Sequence, residues 1–306
     1  MDRITAYAPG SASNLGPGFD CLGVAFTGKG DRVTASRRGP AGVRVLAVSD
    51  PRVPADPSRN TAAIAAAAVL RRAGSDAGLE LTIEKGLPLA GGMGGSAASA
   101  VAGAVAANAL LGFGLGTLDL LEAALDAEAV VAGRHADNVA PSLLGGAVLV
   151  LGLDPPRLGP VRVHPDLALV LVSPSYQVET AAARAVLPAS ISRGDAVEQA
   201  SNLAGLVLGL ERGDADLIRG CMADRIAEPF RAALYPGYPQ ARAAAFEAGA
   251  LGVAVSGAGP TILAIAPEQL VAAVATAFEA AYRRLAIEAH AHAARVDHEG
   301  ARIAAP

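Results

Sequence analysis

One stretch, residues 85–112, constrains this chain more than any other: KGLPLAGGMGGSAASAVAGAVAANALLG. Just upstream, Leu79, Leu81 and Ile83 alternate with Glu80, Thr82 and Glu84, the period of a half-buried strand. The chain then turns at Pro88, passes Gly91, Gly92, Gly94 and Gly95, and enters an Ala-rich helical segment. A strand, a glycine loop and a helix start follow one another. The glycines let a ligand approach the backbone, and Ser96 falls where free N–H groups and the positive end of the helix dipole point, so a phosphate fits here. A tight turn closed by an N-cap serine is written with the same letters. Two named phosphate loops do not match: Lys85 precedes the glycines rather than following them as GxxxxGK[ST] requires. GMGGSA satisfies GxGxxA, but Pro88 separates it from the strand that a dinucleotide fingerprint needs directly before it.

Composition narrows the ligand. The 306 residues are 52% hydrophobic and 18% charged, an ordinary globular balance long enough for two domains. A net charge of -4, with no Lys/Arg block and no interleaved aromatics, offers no field for nucleic acid. Lys29 and Lys85 are the only lysines, so a clamp for phosphate or carboxylate must come from guanidinium groups or backbone. The N-terminus MDRITAYAPG lacks the apolar core of a secretory signal, which points to the cytoplasm. Residues 96–116 are apolar but mostly Ala and Gly, with Asn108 inside, and predict a buried helix rather than a membrane span. Cys21 and Cys221 stand alone, with neither zinc spacing nor a disulfide framework.

Along the chain, residues 3–8 alternate as a strand that ends in APGSASNLGPGFDCLGVAF, a loop in which Asn14 and Asp20 stand among glycines and Phe19. It is either an elaborate surface turn or a binding loop, and its density of polar groups favours binding. Short strands are expected near 31–37 and 43–48. Asn60-Thr61 opens an Ala-rich helix, with Asn60 as its cap. Residues 117–132 form an amphipathic helix whose acids, Glu122, Asp126 and Glu128 among them, read chiefly as a solvated face. Asp137-Asn138 caps a helix or serves a site, and local chemistry does not choose between the two. LDPPRLGPV, residues 153–161, reads as the linker, dividing the chain into domains 1–153 and 154–306. Beyond it, VAVSGAGPTILAI is two short strands around a turn at Ser256, and Arg184 and Arg231 lie on helical segments. His290 and His292 share a strand face near His298 with nothing else converging on them.

LPLAGGMGGSAAS resembles the central ATP-binding motif, broadly P-x-x-x-G-L-G-S-S-A, of the galactokinase, homoserine kinase, mevalonate kinase and phosphomevalonate kinase (GHMP) superfamily. The paired serines of that motif appear here as Gly95-Ser96. The loop around Asn14 and Asp20 is similar to the first motif of the homoserine kinases, P-x-S-x-N-x-x-x-G-F-D-x-L-G. HADNVAP followed by LGG, the segments around Arg184 and Arg231, and the Ser256 turn continue the resemblance in order over nearly the whole chain.

That resemblance implies an α+β two-domain fold: an N-terminal nucleotide-binding domain with a left-handed βαβ crossover, against the usual hand, and a C-terminal ferredoxin-like domain. It implies transfer of the ATP γ-phosphoryl group to the hydroxyl of L-homoserine, with Mg²⁺ held by Ser96 and Glu128; Glu128 lies ten residues before Asn138 where the family has eleven. The nucleotide would lie against Asn60, Pro88, Leu89, Ala90, Gly91, Gly92, Met93, Gly94, Gly95, Ser96, Ala97, Ala98 and Ser256. Asp20 would take the substrate ammonium and Arg184 and Arg231 its carboxylate, Asn14 and Asn138 would hold the hydroxyl end, and Asp137 would also line the substrate site. Ser96 and Asn138 would be the catalytic pair, and a homodimer is expected. An amide at Asn138 cannot accept a proton, so no general base is evident. Two rival readings are a mevalonate-type kinase and a non-catalytic nucleotide sensor on the same fold.

Overall fold

The computed structural model describes residues 2–131 and 133–304. Its elements in order are β1 (Arg3–Asn14), β2 (Gly18–Arg38), β3 (Gly42–Val48), α1 (Thr61–Arg72), β4 (Gly78–Glu84), α2 (Gly95–Leu111), α3 (Thr117–Val131), α4 (Val139–Leu144), β5 (Ala147–Leu153), β6 (Pro156–Val161) and β7 (Leu167–Pro174). There follow α5 (Thr180–Ala185), α6 (Arg193–Arg212), α7 (Ala215–Cys221), α8 (Glu228–Arg231), α9 (Tyr238–Glu247), β8 (Gly252–Val255), β9 (Ile262–Pro267), α10 (Val271–Arg284), β10 (Ala289–Ala294) and β11 (Arg302–Ile303).

The first sheet runs β11-β1-β2-β4-β3, with β5 and then β6 attached to the other end of β2. Its parallel pair, β3 with β4, is bridged by α1 and forms the βαβ unit. The second sheet runs β10-β7-β9-β8 with antiparallel neighbours throughout. Numbered from β7 as the first of its four strands, that order is 4-1-3-2 in a β-α-β-β-α-β chain, which is the ferredoxin-like arrangement.

Strand β7 explains how the halves are welded. Its sequence LALVLVSP is apolar at every position up to Ser173 because both faces are covered. Leu169 and Leu171 point into the core shared with the first sheet, whereas Val170 and Val172 point into a second core under α9 and α10. Helix α2 lies at the centre of the first core, and its alanines are nearly all fully buried. Such close packing needs small residues: a Cβ on Gly103 would lie 2.4 Å from the carbonyl oxygen of Ala62 on α1. Among the described residues no helix is long and apolar enough to cross a membrane.

Two expectations need correcting. The Pro-rich segment 153–161 is not a linker: residues 147–153 and 156–161 form the β5–β6 hairpin of the first sheet, so a boundary at 153/154 would cut that hairpin. Pro156 and Pro160 are tolerated because β6 is an edge strand that, among the described residues, pairs with β5 alone. The C-terminal segment also returns to the first sheet, with Val296 bridging Phe26 and β11 pairing with β1. The strand expected at 31–37 is the far half of the long β2, which pairs with β5 through Leu22–Val24 and with β4 through Arg32–Arg38.

Candidate active site

A cavity of about 310 Å³ opens between the two sheets and gathers most of the residues singled out from sequence. Asn14, Asp20, Asp137, Asn138, Arg184 and Arg231 line one part of it. Asn60, Pro88, Leu89, Ala90, Gly91, Gly92, Gly94, Gly95, Ser96 and Glu128 line the rest.

The glycine loop adopts its shape under steric compulsion. Gly92 and Gly94 have φ of 72° and 65°, and a Cβ on Gly94 would lie 2.1 Å from Ser11 Oγ. Gly94 is therefore the N-cap of α2, with no side-chain cap, so the first N–H groups of the helix are left for the cavity. Ser96, in the first turn, is exposed. Met93, Ala97, Ala98 and Ser256, expected among the nucleotide contacts, do not line the cavity. Each is buried and supports the loop from behind. Ser256 Oγ donates to the Gly92 carbonyl at 2.5 Å, Thr261 N–H donates to Gly91 O at 3.3 Å, and Met93 O accepts from Ser11 N–H at 3.2 Å. The turn at Ser256 thus reaches across from the second sheet to fix the loop.

At the opposite end, the β1–β2 turn holds Asn14 and Asp20 in left-handed backbone at φ of 72° and 57°. Asn and Asp enter that region more readily than other side chains, yet it remains strained. The Asn14 amide locks it in place, accepting from Asp20 N–H at 3.1 Å and donating to Gly257 O at 3.0 Å. Asp20 meets Arg184 in a bidentate pair at 2.8 and 3.1 Å. Arg231 is only 3% exposed, donates to the carbonyls of Ala183 and Gly257, and has no carboxylate within salt-bridge distance among the described residues. Burial accordingly holds its pKa below the ordinary arginine value. Arg184 Nε is buried with no hydrogen-bond partner among the described residues. The Phe19 ring lies 5.3 Å from the Arg231 guanidinium and 5.8 Å from that of Arg184, so both cations lie against one aromatic.

Between these ends stands Asn138. It occupies the N-cap of α4 but makes no capping bond; its Oδ1 accepts from Ser11 Oγ at 3.0 Å and its Nδ2 donates to Ser13 Oγ at 2.9 Å. The two serines of β1 thus engage both ends of the amide and hold it in place. Asp137 is buried beside it, and its pKa is raised by burial first and by the nearby Asp20 charge second. Asn60 caps α1, accepting from Ala63 N–H at 3.2 Å and donating to Pro54 O at 2.8 Å, so its amide shapes the cavity wall through the backbone.

Glu128 departs from the solvated-face reading of its helix. Glu122 and Asp126 are indeed outward and pair with Arg72 and Arg134, but Glu128 is 5% exposed and its Oε1 has no hydrogen-bond partner among the described residues. Burial pushes its pKa up to about 7, with the nearby Ser96 hydroxyl acting in the lowering direction. A buried carboxylate with a free oxygen beside an exposed serine hydroxyl fits a hard divalent cation that completes its shell with phosphate and water. Among the described residues no three His, Cys, Asp or Glu side chains gather for a metal, so any such ion would be shared with a ligand. His292 instead bonds Thr27 O at 2.9 Å.

Sequence reasoning passed over Lys85 as a site residue, yet it lines the cavity directly beneath Gly95. Its signal was its rarity as one of two lysines; its partner Asp31 lies far away in sequence.

The chain is similar to known proteins. Residues 60–146 match the family described as GHMP kinases N terminal domain, and residues 206–284 match GHMP kinases C terminal. A homoserine kinase of Chloroherpeton thalassium is 37% identical, over 99% of this chain and 100% of its own length. One from Halorubrum lacusprofundi is 40% identical, over 96% and 97% respectively. The crystal structure of homoserine kinase from Cytophaga hutchinsonii superposes with a TM-score of 0.95 at 37% identity, covering 99% of this chain and 98% of that one. The L. major mevalonate kinase structure, at 16% identity and a TM-score of 0.69, is similar in fold alone.

Proposed function

The chain belongs to the homoserine kinases of the GHMP kinase family, and we propose how its own residues divide the work. It is an ATP-dependent phosphotransferase that acts on the side-chain hydroxyl of L-homoserine, giving O-phospho-L-homoserine on the route to threonine. Phosphoryl transfer of this kind asks mainly for positioning and for neutralisation of charge on the phosphate oxygens.

The observation that carries the residue assignment is Arg231, a buried guanidinium with no carboxylate partner among the described residues, facing the cavity that also holds Asp20 and Arg184. A buried cation in that condition is stabilised by an anion, and with Arg184 Nε also unpartnered the pair suits a planar carboxylate. Asp20 receives the ammonium group, with Asp137 adding negative charge behind it. The substrate hydroxyl then lies toward Asn138, which the serines of β1 hold ready to orient it. At the far end the backbone of Gly91–Gly95 and the start of α2 receive the nucleotide phosphates.

The hydroxyl oxygen attacks the γ-phosphorus while the bond to the β–γ bridging oxygen breaks, releasing ADP. The hydroxyl proton passes to the transferred phosphate or to water, since an amide cannot take it. Ser96 and Glu128 are the residues that would hold Mg²⁺. Bound there, the ion would neutralise charge on the phosphate oxygens. The domain division follows the sheets, with residues 156–161 and 296–304 assigned to the first.

An assay coupled to ADP release tests this, with L-homoserine, with mevalonate and with no acceptor. Release should depend on homoserine. Dependence on mevalonate instead, or ADP affinity without turnover on any acceptor, would overturn the assignment in favour of another kinase or a sensor.

A further inference from the structure

Beneath the glycine loop lies an ion pair that none of the roles above uses. The Lys85 side chain is 5% exposed and that of Asp31 0%. The Lys85 ammonium donates to the Asp31 carboxylate, to Gly95 O at 2.8 Å and to Ser99 Oγ at 2.9 Å. Asp31 in turn accepts from Ser99 Oγ at 2.6 Å and from Gly86 N–H at 3.0 Å. All three ammonium donors are thus engaged by protein, and the lysine stays where it is.

The pair has a direction. Lys85 lines the cavity and Asp31 does not, so the positive end faces the glycine loop and the negative end stands behind it. Gly95 leaves the path between them open. A Cβ built on Gly95 would lie 3.6 Å from Lys85 Nζ, and a longer side chain would extend into the space between the ammonium and the cavity. A fixed, desolvated dipole aimed at a site where negative charge gathers acts strongly and needs no reorganisation.

We propose that Lys85 is an electrostatic residue of this kinase: a fixed cation whose field reaches the nucleotide phosphates through the gap at Gly95, with Asp31 setting its strength from behind. This rests on the reading of the glycine loop as the phosphate site. A lysine that merely fastened the end of β4 to α2 would have the same bonds but would not distinguish phosphate from nucleoside.

Two variants separate the roles, because they move in opposite directions. The double variant Lys85→Met/Asp31→Asn removes both charges and leaves neither group buried against an unpaired ion. Asp31→Asn alone keeps the cation and removes the counter-charge. Calorimetric titration of each with ADP and with adenosine, Mg²⁺ in excess, reads the effect. The double variant should bind ADP roughly tenfold more weakly than the parent, and Asp31→Asn alone should bind it several-fold more tightly, as expected for one charge at close range in a partly screened interior. Adenosine affinity should change in neither. Adding Gly95→Ser to the double variant should recover part of the loss by placing a hydroxyl in the gap.

If both variants shift ADP affinity in the same direction, or ADP and adenosine shift together, Lys85 is only a fastening and the proposal fails. If the parent binds ADP no better than adenosine, the phosphate reading of the loop fails instead, and the two failures are told apart by the parent alone.

Discussion

Glu128 gives the most exacting test, because the same burial that suits it to a cation should make it a measurable burden to the metal-free fold. Its pKa is raised from 4.5 to about 7, chiefly by burial. A folded value above the ordinary one means that the fold favours the protonated form. Its contribution is full below about pH 4.5 and is lost as pH rises through about 7. A rise of about 2.5 units at about 1.4 kcal/mol each sets a ceiling of about 3 kcal/mol. The penalty is near zero at about pH 4.5, about 2 kcal/mol at about pH 6, and close to that ceiling at about pH 8. Glu128→Gln removes the charge while keeping the shape.

In urea unfolding with EDTA present, the variant should therefore be more stable than the parent at about pH 8, with the gain shrinking as pH falls. It should also be nearly inactive, and Mg²⁺ with ADP should raise the parent's stability but not the variant's. A variant no more stable than the parent at about pH 8, or a gain that grows toward acid, would refute the claim that burial dominates at Glu128. A variant that keeps full activity would remove it from the metal site.

Ser96→Ala should lower kcat by roughly 100-fold or more, through loss of a hydroxyl beside the phosphate site; near-normal turnover would reject its role. Arg231→Ala should raise KM for homoserine while leaving that for ATP little changed. Stranding a buried charge costs about 2–5 kcal/mol, which is roughly 30-fold or more. Arg231→Lys should be nearly as damaging, because one ammonium cannot reproduce a forked contact, and an unchanged homoserine KM in both variants would move the carboxylate site elsewhere. Asp20→Asn should impair L-homoserine far more than 4-hydroxybutyrate, which lacks the ammonium group; equal impairment of both would show that Asp20 serves only to hold Arg184.

What was legible in the sequence was whatever the backbone itself had to do. A glycine loop before a helix is written in consecutive letters, since Gly92 and Gly94 answer to φ and to close contacts. Periodicity likewise recovered β4 and α3, whose faces are set by burial. The errors fall where tertiary position overrides local signal. Pro156 and Pro160 look like a linker until the strand carrying them is seen to be an edge. Gly23, Gly28 and Gly30 look like loop residues, but they sit inside β2; a Cβ on Gly23 would lie 1.7 Å from the carbonyl oxygen of Asp137. Two residues of β11 cannot announce a strand at all. Glu128 sits on a helix that also carries Glu122 and Asp126, and only packing tells the inward acid from the outward ones.

The charged end of the cavity carries its own logic of selection. Asp20 and Arg184 satisfy each other bidentately, while Arg231 has no such partner among the described residues. A ligand bearing a carboxylate alone would draw on Arg231 and on Arg184 Nε, but in competing with Asp20 for Arg184 it would leave Asp20 near Asp137 with less counter-charge. A ligand bearing an ammonium alone would take Asp20 from Arg184 and leave two guanidinium groups beside Phe19 without an anion. A zwitterion does neither, because it returns a positive charge to Asp20 and a negative one to the arginines in the same step. On the proposed placement of the substrate, preference for an amino acid over a hydroxy acid or an amino alcohol would come as much from the unpaired charge that a wrong ligand creates as from the contacts of the right one.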